Sequence, residues 1–488
     1  MATQEKYSQQ LSRSLTIKEN ILITLSSVTP ASSVFIIVPA LIMGLAGASV
    51  ASMLIGAVIA LFVGWCYAEL SSRFPITGGE YTWAARLLGR GYGFGVFFLS
   101  LVAGILIIAV IASGVAPYLA VVWPGFDTPL TTVLVVVITT AISALTISTN
   151  AWVTGVCLAL EVLALIVLAF LGFTHVSRGA DTFVMPQTLG ADGGLEVVTW
   201  GVLFSLVPVA LFAFNGYGGA VYYAEETKGA SKTIGRAIMV SLGVTVIAEV
   251  VPLAAVILGA SDLETLVASE DPMTWFLLDR GGETVTLLVS LGIAIAIFNA
   301  VIAIQIQIAR LIFASARDRS WPNAVDRVLG SINPRTKTPV VATVLVGVLS
   351  IAAGFLPFDW LLIATGASTI FVYATVALAA LRLRRVAAGR DGGYRMPLFP
   401  LPPLIVLGIM AYVTYQTVVS DITPLFVSIG AILLGVIWYV AFIHPRRGER
   451  WTLPDPQDDE WADDAPDAPV APAAGSEEDP DALERAGV

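Results

Sequence analysis

Residues 214–220 read FNGYGGA, with glycines at 216, 218 and 219, inside an apolar stretch that runs from about 197 to 224. Three glycines within four residues lower the cost of leaving helical geometry, so a helix through this stretch is predicted to break there. Residues 28–35, VTPASSVF, interrupt an earlier apolar stretch, from about 19 to 46. There Pro30 removes a backbone donor and clashes with the preceding turn. Ser32 and Gly216 are 184 residues apart, with four uninterrupted apolar windows between the two broken ones. That is the spacing of an inverted repeat, helices 1 to 5 and 6 to 10, whose matching interrupted helices meet at a binding site. Two helices kinked for packing alone would not need breaks in corresponding positions.

The rest of the 488-residue chain agrees with this reading. Apolar residues make up 57% and charged residues 13%, against about 45–50% and about 25% in soluble globular chains. Twelve windows have the length of a spanning helix: about 19–46, 48–71, 92–120, 130–147, 152–174, 197–224, 235–258, 284–315, 338–356, 359–382, 401–419 and 424–443. The expected fold class is an all-α membrane protein with twelve transmembrane helices, a five-plus-five inverted repeat with helices 1 and 6 broken, and two extra helices. The first window is too long for the core of a cleavable signal peptide, so helix 1 is expected in the mature protein.

Charge supplies the orientation. With the N-terminus inside, 24 of the 26 Lys and Arg residues fall in cytoplasmic segments, leaving only Arg178 and Arg280 outside. Both termini are therefore expected in the cytoplasm, and the cell's plasma membrane is the expected location. The expected division is a cytoplasmic segment 1–18, a ten-helix core 19–382, a loop with helices 11 and 12 at 383–443, and a tail 444–488. Residues 454–488 hold twelve acids and one base, so the formal charge of −10 leaves the membrane body near +1. That acidic, Pro- and Ala-rich stretch has no hydrophobic period and is expected to be disordered.

Several chemistries are excluded. GRGYGFG (89–95) follows no strand and lacks nucleotide-loop glycine spacing, and GASKT (229–233) lacks the Gly-Lys pair of a phosphate loop. The glycines of the former are read as close-packing positions at the start of helix 3. His175 and His444 lie beyond helix ends and far apart, and Cys66 and Cys157 fall inside apolar windows, so neither a metal site nor any cofactor is expected. An enzyme buried in the membrane would need a nucleophile with a nearby base, and the apolar windows contain no histidine.

What the breaks offer is exposed backbone. A half-helix N-terminus presents free N–H groups to an anion, and the freed carbonyls of the other half attract a cation. A zwitterion suits both. The candidate binding residues are Ala31, Ser32, Ser33 and Val34 in helix 1 and Asn215, Gly216, Tyr217 and Gly218 in helix 6, with Phe212 and Phe214 closing over the ligand. The apolar walls expected from helix 3 (104–110) and helix 8 (293–303) favour a neutral side chain. Two carboxylates lie deep in apolar windows, Glu161 and Glu249, and ionisable groups at such depth are functional candidates. Glu225 and Glu226, close to Lys228, are expected to be a solvated pair at the rim of the bundle.

Four stretches resemble the amino acid-polyamine-organocation family. AELSSRFPITGGEYTWAARLLG (68–89) is similar to its E-L-x-x-x-x-P-x-x-G-G-x-Y segment. FAFNGYGGAVYYAEETKGASKTIGRAI (212–238) resembles its helix 6 break and exit. FASARDRSWP (313–322) resembles its helix 8 exit, and YRMPLFPLPP (394–403) lies in loop 10–11. The resemblance covers helices 1 to 10 and weakly beyond. It implies a secondary transporter of amino acids working by alternating access, by proton symport or exchange. Its partners would be a small amino acid and the lipid bilayer, with a proton as coupling candidate and no nucleic acid. Two departures bear on substrate: ASSVF (31–35) stands where many members have G-S-G-I-F, and Gly218 where many have an acid. Many members carry a lysine in helix 5 near the helix 1 break. Glu161 occupies the comparable place, which makes it the first candidate for the coupling proton. A polyamine carrier and a sensor that binds without transporting are the rival expectations.

Overall fold

The computed structural model describes residues 15–120, 125, 128–145, 147–386, 394–420, 422–451 and 453, with the side chains of 147–153 and 420 outside the description. Nearly all of it is helix. Among the described residues, nine helical runs are long and apolar enough to cross a membrane, and two shorter apolar helices, Thr128–Ser143 and Val340–Ala353, fall in windows 4 and 9. The run Ile17–Arg73 holds windows 1 and 2, turning near Ala46. Large apolar side chains on the outside, among them Phe170, Ile247, Leu288 and Leu434, are left open, as a hydrocarbon environment permits. The described residues are thus those of a multi-pass membrane protein, helical apart from one small hairpin.

That hairpin, Gln187–Leu189 paired antiparallel with Leu195–Val197, lies between helices 5 and 6 and was not expected from the apolar pattern. Helix 8 also differs. It belongs to a run, Pro272–Arg317, that starts twelve residues before the expected boundary and is interrupted at Gly282, whose φ of 71° is non-helical. Asp271 caps its first turn by accepting from the Thr274 N–H.

The packing positions the breaks. Helix 7 (Ala230–Gly259) lies against helices 2 (Ser49–Arg73) and 5 (Ile147–Thr174), and helix 8 against helices 3 (Arg90–Ser113) and 5. Helix 1 fits among helices 5, 7 and 8. Close approach at the start of helix 3 depends on glycine: a Cβ at Gly93 would come within 2.4 Å of the Ala85 backbone.

One boundary needs correction. Residues 444–451, assigned above to the tail, run on from helix 12 with 444–449 exposed and return to the bundle at Arg450 and Trp451. His444–Arg446 form a short 3-10 turn, and the fully buried Trp451 ring lies among Tyr81, Phe94 and Tyr439. The Trp451 N–H donates to the Asp318 carbonyl at 2.9 Å, and Arg450 pairs with Asp326 at 3.1 Å. A large aromatic ring outweighs the polarity of its neighbours in sequence. Residues 454–488 lie outside the described residues.

Candidate functional site

Helix 1 stops at Val28, and Thr29 takes the left-handed conformation, φ 51°. Helix resumes at Pro30–Ser32 and passes through a wide π turn, Ser33–Ile37, before Val38–Leu45. Pro30 at the first position of the new segment lacks the N–H that would be orphaned there. The next N–H, of Ala31, donates to Glu161 Oε1 at 2.8 Å. Helix 5 therefore places a carboxylate on the positive end of the second half of helix 1. Glu161 is fully buried, and its Oε2 has no hydrogen-bond partner among the described residues. Asn299 of helix 8 lies beside it, also fully buried. Glu249 of helix 7 sits next to Ser33 and within electrostatic reach of Glu161.

Helix 6 runs through Trp200–Ser205 and Val207–Ala213, breaks at 214–216, and continues as a 3-10 segment, Tyr217–Glu226. Gly216 is the pivot. Its φ of 119° is open to glycine alone at low cost, and a Cβ there would lie 2.9 Å from the Val28 Cα. The two breaks are joined directly where Ser33 Oγ donates to the Ala213 carbonyl at 2.9 Å.

A cavity of about 110 Å³ opens beside this junction. Of the predicted binding residues, Ser33, Phe212, Asn215, Gly216 and Gly218 line it. Ala31, Ser32 and Val34 are buried away from it. Phe214 is fully buried toward Gly56 of helix 2, and Tyr217 packs its ring near Tyr67 and Tyr373. Phe212 lines the cavity without Phe214, which corrects the expected pair of lids. Glu161 and Glu249 do not line it. The helix 3 wall is Ser100, Ala103, Gly104, Ile107 and Ile111, whereas the helix 8 wall is Ile304, Gln307 and Ile308, beyond the expected 293–303. The cavity extends toward the arginine-rich end, level with the 3-10 segment, so later turns of helix 8 face it.

That end of the cavity is polar, which the sequence reading missed. Glu80, on the short helix Glu80–Leu87, is buried and accepts from the Tyr67 hydroxyl at 2.7 Å and the Tyr222 hydroxyl at 2.8 Å. Burial pushes its carboxyl above the ordinary range, while the two hydroxyls pull it back. Gly78 and Gly79, with φ of 124° and 58°, turn the chain so that Glu80 points inward. The only signal was this glycine pair directly before an acid.

Beyond Tyr222 the 3-10 segment is tied to helix 8 by ion pairs. Arg317 Nη1 donates to both oxygens of Glu225, at 2.8 and 2.9 Å, and Arg310 grips Glu226 at 2.9 and 3.0 Å. Glu225 and Glu226 are only 5% and 4% exposed, so the solvated-rim expectation is wrong. Their partners come from helix 8, more than 80 residues away, rather than from Lys228. Asp318 extends this network, accepting from Arg317 and from the Tyr81 hydroxyl.

The matching sequence family closes the question of kind: the model of the family described as amino acid permease covers residues 15–449. This chain belongs to the amino acid permease family. Relatives of the permease include an uncharacterized transporter of Mycobacterium tuberculosis, 29% identical over 83% of this chain and 86% of that one. The branched-chain amino acid permease BcaP of Lactococcus lactis is 25% identical over 72% of this chain and 78% of its own. A vacuolar cationic amino acid transporter of Arabidopsis thaliana is 25% identical over 79% and 62%. The permease is accordingly a membrane transporter and not an enzyme.

Proposed function

We propose that this permease is a secondary active carrier of neutral amino acids that works by alternating access. The observation that carries the reading is the cavity at the junction of the two breaks, lined by Ser33, Phe212, Asn215, Gly216 and Gly218. Isoleucines from helices 3 and 8 line its sides, and an uncharged substrate side chain lies against them without needing a desolvated partner. The relatives' names point both ways, to branched-chain amino acids for the Lactococcus protein and to cationic ones for the Arabidopsis protein, so the isoleucine walls carry the choice.

In this reading the chain crosses the plasma membrane twelve times with both termini in the cytoplasm. Helices 1 to 10 form a five-plus-five inverted repeat (19–382), helices 11 and 12 follow (383–443), and an acidic tail ends the chain. The Glu225–Arg317 and Glu226–Arg310 pairs close the cytoplasmic exit and must part for release. Glu161, on the Ala31 N–H, carries the coupling proton, with Glu249 as the alternate. Ala31, Ser32, Val34 and Tyr217 shape the site from behind, through the backbone.

The test is uptake by the purified protein in liposomes, across neutral, cationic and acidic amino acids and polyamines, with and without a pH gradient. Neutral amino acids should accumulate and outcompete arginine and putrescine. A preference for polyamines would overturn the substrate class. Binding without uptake would make the protein a sensor.

A further inference from the structure

The buried Glu80 carboxylate has an acceptor capacity that the two phenols and its own N–H leave partly unused. A carboxylate offers about four lone-pair sites on its two oxygens. Here one hydroxyl, of Tyr67, occupies Oε1 and one, of Tyr222, occupies Oε2. No ion pair to Glu80 is formed among the described residues, in contrast with the nearby Glu225 and Glu226, each gripped by an arginine. Yet Glu80 lines the same cavity as Ser33 and Gly216. A desolvated carboxylate facing a cavity, held by phenols and lacking a cation, is a site for a small organic cation.

We propose that Glu80 is a second station for the substrate's primary ammonium group, between the helix breaks and the ion-pair closure. This rests on the carrier reading above and adds a step to it. Ammonium leaving the carbonyls of the breaks meets the free lone pairs of Glu80 before the exit opens. Tyr222 lies on the 3-10 segment that also bears Glu225 and Glu226, so movement of that segment alters the Glu80 clasp and the closure together. No bond is made or broken, and the ammonium passes on intact.

The probe is propylammonium, a primary ammonium without a carboxylate, with propionate as the opposite half. Both are tested by thermal shift on the purified full-length protein and as inhibitors of neutral amino acid uptake. Propylammonium should stabilise the wild type, and Glu80→Gln should weaken that effect about tenfold, in line with loss of a charge-assisted hydrogen bond. The effect of propionate should stay unchanged. Tyr222→Phe frees a lone pair and should tighten propylammonium binding, so it decides the matter even if Glu80→Gln fails to fold. An equal propylammonium effect in wild type and Glu80→Gln, or no tightening in Tyr222→Phe, overturns the proposal. Absence of any amino acid uptake with the propylammonium shift intact would instead overturn the carrier reading and leave the site standing.

Discussion

Helices 1 and 6 are interrupted at facing positions, and the protein finishes the two interruptions in opposite ways. In helix 1 the freed Ala31 N–H is taken by an internal anion, Glu161, so that end of the break is already neutralised. In helix 6 no acidic side chain reaches the break among the described residues, and Asn215, Gly216 and Gly218 face the cavity. A broken helix is therefore not in itself a ligand site. What decides is whether the fold fills the exposed backbone or leaves it open, and here the open break is the one that glycine makes.

The sharpest way to break that contrast is to fill the open break. Gly216→Val brings a branched side chain to a backbone with φ of 119° and into the Val28 main chain, and should abolish substrate binding in an equilibrium assay. Unchanged affinity would place the site elsewhere. At the other break, Glu161→Gln keeps an oxygen for the Ala31 N–H and loses only the ionisable proton. It should preserve counterflow exchange while losing accumulation driven by a pH gradient, and full proton-driven uptake would remove Glu161 from the coupling role. Glu249→Gln should shift chiefly the melting temperature. The smallest effect is expected where the breaks are tied to each other: Ser33→Ala removes one hydrogen bond to the Ala213 carbonyl and should cost about 1 kcal/mol of stability, read by thermal denaturation.

The existence of the breaks was legible in the sequence, because Pro30 and the glycines at 216, 218 and 219 act through local backbone chemistry. Which residues face the ligand was not. After Gly216 the chain winds as a 3-10 helix, with three residues per turn rather than 3.6, so the facing side drifts from any α-helical projection and Tyr222 comes round to the cavity. Glu80 and the partners of Glu225 and Glu226 were hidden for another reason. Each depends on a contact spanning from 84 to 142 residues of chain, and no local pattern encodes it. The deep carboxylates stood out because ionisable residues are rare in apolar windows, although only the fold put Glu161 on the Ala31 N–H and Glu249 beside Ser33.

The burial of Trp451 sets a practical boundary for anyone handling this protein. A reporter or affinity tag joined directly after Arg447 would leave an unfilled aromatic hollow between Tyr81, Phe94 and Tyr439, and would strip the Asp318 carbonyl of its donor. Joined after Leu453, the same tag starts from a point already anchored to the bundle and leaves the hollow filled. Expression levels of the two fusions should differ accordingly, with the shorter chain the poorer.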